Sequence, residues 1–432
     1  MDFRTLPELA DGGVVTLKNL TAPACLIGQE GDLASLDLSI DGGRLTEQPG
    51  LPVDMQGAMV FPAFIDMHTH LDKGHIWARS PNPDGTFMGA LETVTEDREA
   101  RWCADDVRRR MEFSLRSAYA HGTRAIRTHL DSRAPQDSIS WPVFKELRED
   151  WADRIALQAA SLLAIDQLAV EGGDDQREFC NLVEIVADAG GILGAVTFPV
   201  DGLEARLRRF FQIAAERGLA VDFHVDETGD PSVATLRVIA ETVLATGFSL
   251  PVTVGHCCSL AVQPEAEAMQ TLDLVAKAGL HVVSLPLCNL YLQARKAGQT
   301  PRWRGITLVH EMKARGVNVA FASDNTRDPF YAYGDLDMLE VMREATRIGH
   351  LDHSDSDWTH AFLGNPAKAA GFPLPSLDPG EPADLVICKA RSWTELFARP
   401  QADRIVLRAG QTIKRELPDY AELDDLMTKS AV

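Results

Sequence analysis

The run Phe61-Pro-Ala-Phe-Ile-Asp-Met-His-Thr-His-Leu-Asp72 is apolar but for Asp66 until it reaches two histidines one residue apart. Alternate side chains of a β-strand project to the same face, so His68 and His70 leave its C-terminal end together. Two imidazoles placed in this way are half of a metal site, or else the polar residues of a common strand-to-loop turn. The rest of the chain has to separate these readings.

Beyond this run the sequence alternates between short apolar, β-rich segments and long amphipathic helical ones, the pattern of parallel strands with helical crossovers. Eight such segments occur, at 61–67, 123–128, 155–160, 192–198, 219–223, 251–254, 281–285 and 317–322. Eight is the number that closes a (β/α)8 TIM barrel. Between them, residues 203–217 carry apolar side chains at helical spacing and predict a helix that stops at Gly218. An open doubly wound sheet would place a glycine-rich phosphate turn after its first strand, and His70-Leu-Asp-Lys73 is not one.

The two ends of the chain differ from this middle. Residues 13–60 hold short alternating runs punctuated by Asp41-Gly-Gly43 and Gln48-Pro-Gly50, and the same texture returns after about residue 376. The expected class is therefore α/β: a TIM barrel over 61–375, with a small β-sandwich domain built from 1–60 and 376–432.

Composition limits the partners. Of 432 residues, 45% are apolar and 24% charged, as in an ordinary globular protein. The net charge is −21, and Arg108-Arg-Arg110 and Arg206-Leu-Arg-Arg209 read as solvated helix faces, which excludes nucleic acid and anionic membrane as expected partners. The start Met1-Asp-Phe-Arg-Thr-Leu-Pro-Glu8 has no basic then apolar leader pattern and no apolar run has the length of a membrane span, so a cytoplasmic location is expected. Seven cysteines without Cys-x-x-Cys spacing predict reduced, mostly buried thiols rather than disulfides or a cysteine zinc site. Homo-oligomer formation is compatible with this reading and is not specified by it.

In a barrel, reactive groups stand at the C-terminal ends of strands. Here the fifth segment ends Asp222-Phe-His-Val-Asp-Glu227, the sixth ends Gly255-His256 and the eighth runs into Ser323-Asp-Asn325. With His68 and His70 these supply three or more nitrogens and an oxygen, a donor set for a divalent transition metal. Any one alone is commonly a structural histidine or a helix cap; four in register with the strands argue for a site.

The constellation resembles the amidohydrolase superfamily of metal-dependent hydrolases over most of the chain, and within it the cytosine deaminase group. The stretches His68-Thr-His-Leu-Asp72, Arg127-Thr-His-Leu-Asp131, His224-Val-Asp-Glu227 and Asn289-Leu-Tyr-Leu-Gln-Ala-Arg295, followed by Arg304-Gly-Ile-Thr307, carry the resemblance. It implies that His68, His70, His224 and Asp324 hold one metal ion, zinc or iron, with His256 beside the water bound to it. It also implies that Glu227 shuttles protons to the leaving amine and that Gln158 contacts the ring. Binuclear relatives bridge their metals with a carboxylated lysine from a middle strand. No lysine occurs between Lys145 and Lys277, so a mononuclear site is expected.

The mechanism so implied is hydrolytic deamination of a small nitrogen heterocycle with release of ammonia. A divalent metal lowers the pKa of its water from about 16 towards 7, Asp324 and His256 take and orient the proton, and a protonated Glu227 neutralises the adjacent ring nitrogen. Asp226 competes for that role. Glu227 can share a cavity with His224, three residues earlier, only if the strand gives way to a turn between them.

Asn325 stands where cytosine deaminases have a second aspartate, and Phe330 where they have a tryptophan, so both are expected to touch a ring other than cytosine. Release of an alkylamine from an aminotriazine-like ring, or opening of a cyclic amide, is the alternative. Retention of Glu227 disfavours it, since the resembling alkylamine-releasing hydrolase lacks that glutamate. Lys73 is left open, as a loop cation or a substrate contact, and 80–87 reads as an ordered loop over the site or a surface turn.

Overall fold

The computed structural model describes residues 13–168, 174–399 and 403–428. Residues 1–8, read above for a leader, and the outer ends of both terminal assignments lie outside the described residues.

Strands from the two ends of the chain meet in one sheet. Its strands are β1 (Val15–Pro23), β2 (Leu33–Asp41), β3 (Arg44–Thr46), β4 (Leu51–Asp54) and β5 (Met59–Pro62) from the first end. Eight parallel strands of the middle follow: β6 (Phe64–Thr69), β7 (Thr123–Asp131), β8 (Ala156–Leu162), β9 (Leu193–Thr197), β10 (Val221–Val225), β11 (Val252–His256), β12 (His281–Ser284) and β13 (Asn318–Phe321). From the far end come β14 (Leu385–Cys388), β15 (Arg404–Arg408) and β16 (Gln411–Thr412), and β14 lies antiparallel to β5, joining the termini.

The parallel strands form two sheets in chain order, β6-β7-β8 and β9 to β13. Backbone bridges span both gaps between them. Ala160 pairs with Ile192 and Ala164 with Val196 at one junction, and Thr69 pairs with Asp324 at the other, where Asp324 N–H donates to His68 O at 2.9 Å. Helices connect successive strands and bury their apolar faces on them. The helix Leu203–Arg217 ends where its sequence predicts: Leu207, Phe210, Phe211, Ile213 and Ala214 are buried, and Gly218 takes φ 68°, a left-handed cap that costs glycine no Cβ clash.

Two assignments shift. Phe61 and Pro62, read above as the start of the first parallel strand, belong to β5 and pair with β14. The chain breaks step at Ala63, whose N–H still donates to Asp384 O at 2.8 Å, before β6 begins. At the other end, the chain leaves the terminal sheet after β16 and returns to the outer face of the helix Ala104–His121. Arg109 there pairs with Asp425 and Arg116 with Glu422, both at 2.6 Å, while Tyr420 stacks on Phe113. Cys257, Cys258, Cys288 and Cys388 are buried free thiols, whereas Cys103 and Cys180 are exposed. No helix among the described residues is long and apolar enough to cross a membrane.

Candidate active site

Three strand ends turn sharply at the site. Asp226, His256 and Asp324 adopt φ of 49°, 66° and 67°, the left-handed region that aspartate and histidine enter more readily than bulky residues. These turns redirect side chains that regular strand geometry would send elsewhere. After Asp226, Glu227 faces the same interior as His224, the condition its spacing demanded. Gly255 serves the same end by having no side chain, since a Cβ there would stand 2.8 Å from Cε1 of His68.

The interior histidines and Asp324 converge. Nε2 of His68 lies 3.1 Å from Nε2 of His224, which lies 3.2 Å from Nε2 of His70. Asp324 Oδ1 is 3.3 Å from His70 Nε2 and 3.6 Å from His68 Nε2. All four side chains are buried, and neither carboxylate oxygen of Asp324 has a hydrogen-bond partner. Burial holds the three imidazoles well below the usual histidine range, hence neutral, and pushes Asp324 up to about 8. Protons alone would leave buried polar atoms unpaired. A tetrahedral ion with ligand bonds of about 2.0–2.1 Å holds its donors about 3.3 Å apart, close to the observed spacings, so the donor set fits one divalent metal.

Beside this cluster, Asn289 links two further groups. Its Nδ2 donates to Oε1 of Glu227 at 3.2 Å and lies 3.0 Å from Nδ1 of His256. Glu227 Oε1 is itself 3.4 Å from His256 Nδ1. Burial first, then the nearby Asp324 carboxylate, holds Glu227 well above the usual carboxyl range. His256, held down to about 3 mainly by burial, is a neutral imidazole whose Nε2 is buried without a hydrogen-bond partner.

The competitor for the role of Glu227 is engaged elsewhere. Asp226 accepts from Thr235 N at 3.0 Å, Thr235 Oγ1 at 2.5 Å and Leu236 N at 3.0 Å, capping the helix Thr235–Thr246.

Two residues expected to contact the ring are hydrogen-bonded within the protein. Gln158 pairs in register with Arg127, two residues before His129 along β7, and its Oε1 accepts from Arg127 at 3.2 Å while its Nε2 donates to Ala370 O at 2.8 Å. Both ends of its amide are thus used in the layer beneath the histidines, where Arg127 also pairs with Asp222 at 2.9 Å. Asn325 donates to Asp328 Oδ2 at 2.8 Å and faces the Cys288 thiol at 3.5 Å. A neutral amide at this position can donate to the Asp328 carboxylate, which an aspartate would repel. Phe330, by contrast, packs edge-on against Phe87 with centroids 5.4 Å apart. The 80–87 loop is pinned there by Asn82, whose Nδ2 donates to Pro329 O at 3.0 Å and Thr86 O at 2.9 Å.

His129 joins the cluster with no role expected for it. Its ring lies 4.1 Å from that of His68 and 4.6 Å from that of His224, and its Nε2 is 3.6 Å from Asp222 Oδ1. The signal was the alternation Arg127-x-His129-x-Asp131, the same two-residue period that brought His68 and His70 together. Asn289 opens one of the stretches that carry the family resemblance, but no spacing marked it for a role, since an asparagine in a short helix has no diagnostic periodicity.

Parallel strands that deliver three imidazoles, a carboxylate and a buried glutamate to one interior define a hydrolase of the metal-dependent α/β class. The sequence profile of the amidohydrolase family matches residues 115–416, and the chain belongs to that family. It is 57% identical over 375 residues to a pterin deaminase of Rhizobium rhizogenes, covering 87% of this chain and 85% of that one. With an N-isopropylammelide isopropyl amidohydrolase of Pseudomonas sp. it shares 23% identity, over 90% of this chain and 93% of the relative. Its fold is similar to that of 5-methylcytosine deaminase from Klebsiella pneumoniae liganded with phosphonocytosine, with a TM-score of 0.77 at 24% identity, covering 93% and 97% of the two chains.

Proposed function

We propose that this chain is a hydrolytic deaminase of a small nitrogen heterocycle, with pterin-like 2-amino-4-oxo rings as the first candidates and ammonia as the leaving group. The observation that carries this reading is the grouping of Glu227, Asn289 and His256 beside the four-donor cluster. The 57% identity to a pterin deaminase supports the choice of ring. In this reading the eight parallel strands close as a barrel, with its mouth at their C-terminal ends. The sheet of both termini is a separate domain that folds over at β1, which pairs with β2 on one edge and with β4 and β5 on the other.

His68, His70, His224 and Asp324 hold the ion, zinc or iron, which when bound supplies a Lewis acid that makes water nucleophilic at neutral pH. Glu227 gives its proton to the ring nitrogen next to the amino-bearing carbon as the water oxygen adds to that carbon. Asp324 receives a proton from the adding water, and His256 Nε2, with no other partner, hydrogen-bonds to the oxygen where charge develops. The proton passes to the amino group, the carbon–nitrogen bond breaks and ammonia leaves. The remaining hydroxyl proton returns to Glu227, leaving a carbonyl on the ring. Phe330 packs against the ring.

Ammonia release across pterins, aminopyrimidines and aminotriazines tests the assignment. Turnover of at least one ring amine to the corresponding oxo compound is expected. Release of an alkylamine with no ammonia from any ring would overturn it.

A further inference from the structure

Lys73 has no part in the reaction just derived, yet it stands among the groups that perform it. Its side chain is 7% exposed, with Nζ 5.0 Å from the centre of the Phe330 ring and 3.4 Å from Asp131 Oδ1. The turn that carries it is fixed: Lys73 N–H donates to His70 O at 3.2 Å, and the buried Arg110 guanidinium bonds the carbonyls of Asp72 and Gly74.

An ammonium offers three donors and no acceptor. Among the described residues the ion pair of Lys73 is with Asp131 alone, and Arg98 holds the other oxygen of that carboxylate at 2.9 Å. A buried ammonium with donors to spare, over the Phe330 ring, calls for an acceptor that arrives with the substrate. Resting on the deaminase reading, we propose that Lys73 is a specificity-determining residue that donates a hydrogen bond to an exocyclic oxygen of the heterocycle, selecting amino-oxo rings over the same rings without the oxygen. The competing role is purely internal, as counter-charge to Asp72, Asp131 and Asp328, which surround it.

The test compares 2-amino-4-oxopteridine with 2-aminopteridine. Calorimetric binding to the wild-type metalloenzyme should favour the oxo ring by at least about tenfold, the discrimination expected of a charge-assisted hydrogen bond. Lys73→Met should shrink that ratio to about threefold or less by weakening the oxo ring alone, with metal content unchanged. Equal weakening of both rings, or a wild type that binds both alike, overturns the proposal. If Lys73→Met does not fold, Lys73→Gln applies the same ratio, and retention of the wild-type value overturns it. Absence of ammonia release from any ring by the wild type would sink the deaminase reading instead, while the binding ratio still decides on Lys73.

Discussion

Glu227 Oε1 lies 3.4 Å from Nδ1 of His256, with Nδ2 of Asn289 within 3.2 Å of both. The two groups come from neighbouring strands and are held at one height by a third residue from a short helix. Replacing Glu227 by Gln keeps the size and the hydrogen bond to Asn289 but removes the transferable proton. Turnover should fall by about 10²–10⁴-fold, with metal content by elemental analysis unchanged. An active Glu227→Gln enzyme would remove the residue from the proton pathway.

The pH profile follows from the same contact. Burial and Asp324 raise the Glu227 carboxyl, whereas the Asn289 bond lowers it by favouring the charged form. Glu227 acts as an acid, so activity is lost as pH rises through its folded pKa. Removing the bond in Asn289→Leu should move that alkaline limb of kcat to higher pH, while kcat at the optimum falls. A limb that stays in place or moves down would mean that a different group sets it.

His224 supplies one of three converging Nε2 atoms. Changes one shell beyond a metal ligand already cost about 10–100-fold in metal affinity, so His224→Ala should lose at least that, measured by competition with a chelator. Full loading of the variant would strike His224 from the ligand set.

Asp226 is engaged at the start of a helix, so its replacement is expected to act on stability. Its three accepted hydrogen bonds hold the start of the helix Thr235–Thr246. Asp226→Ala should lower unfolding stability by about 1–2 kcal/mol in urea titration, while residual turnover of the folded fraction stays within a few-fold of wild type. Loss of turnover at unchanged stability would reinstate Asp226 as the competitor of Glu227.

Asp337 joins the helix Met338–Gly349 to the terminal sheet through Arg404, on β15. The Arg404 guanidinium and His121, together with hydrogen bonds, hold its carboxyl well below the usual range despite burial. A carboxyl lowered by folding adds stability above its unfolded pKa of about 4 and loses it as pH falls through the folded value. Asp337→Asn should therefore destabilise the protein at pH 7, and its gap to wild type should narrow in urea titrations below about pH 4.

The sequence alone determined what rests on local periodicity. Alternation of apolar segments placed the parallel strands within two or three residues, the 3.6-residue pattern and Gly218 bounded the helix Leu203–Arg217, and the two-residue period of strands put His68 beside His70. These features depend on neighbours in the chain, and the chain displays them. The family resemblance supplied the rest of the expected ligand set and Glu227.

Only the tertiary structure decided between residues of the same type. Asp226 and Glu227 are adjacent acids, and a left-handed turn at Asp226 gives one to a helix cap and the other to the site. Gln158 and Asn325 are amides of suitable chemistry whose bonds are taken by Arg127, Ala370 and Asp328, partners from other strands, loops or helices. His129, Asn289 and Lys73 acquire their surroundings the same way. Which face of a strand is interior is written in its sequence, but the partner that satisfies a buried polar group comes from remote segments, and sequence spacing carries no record of that meeting.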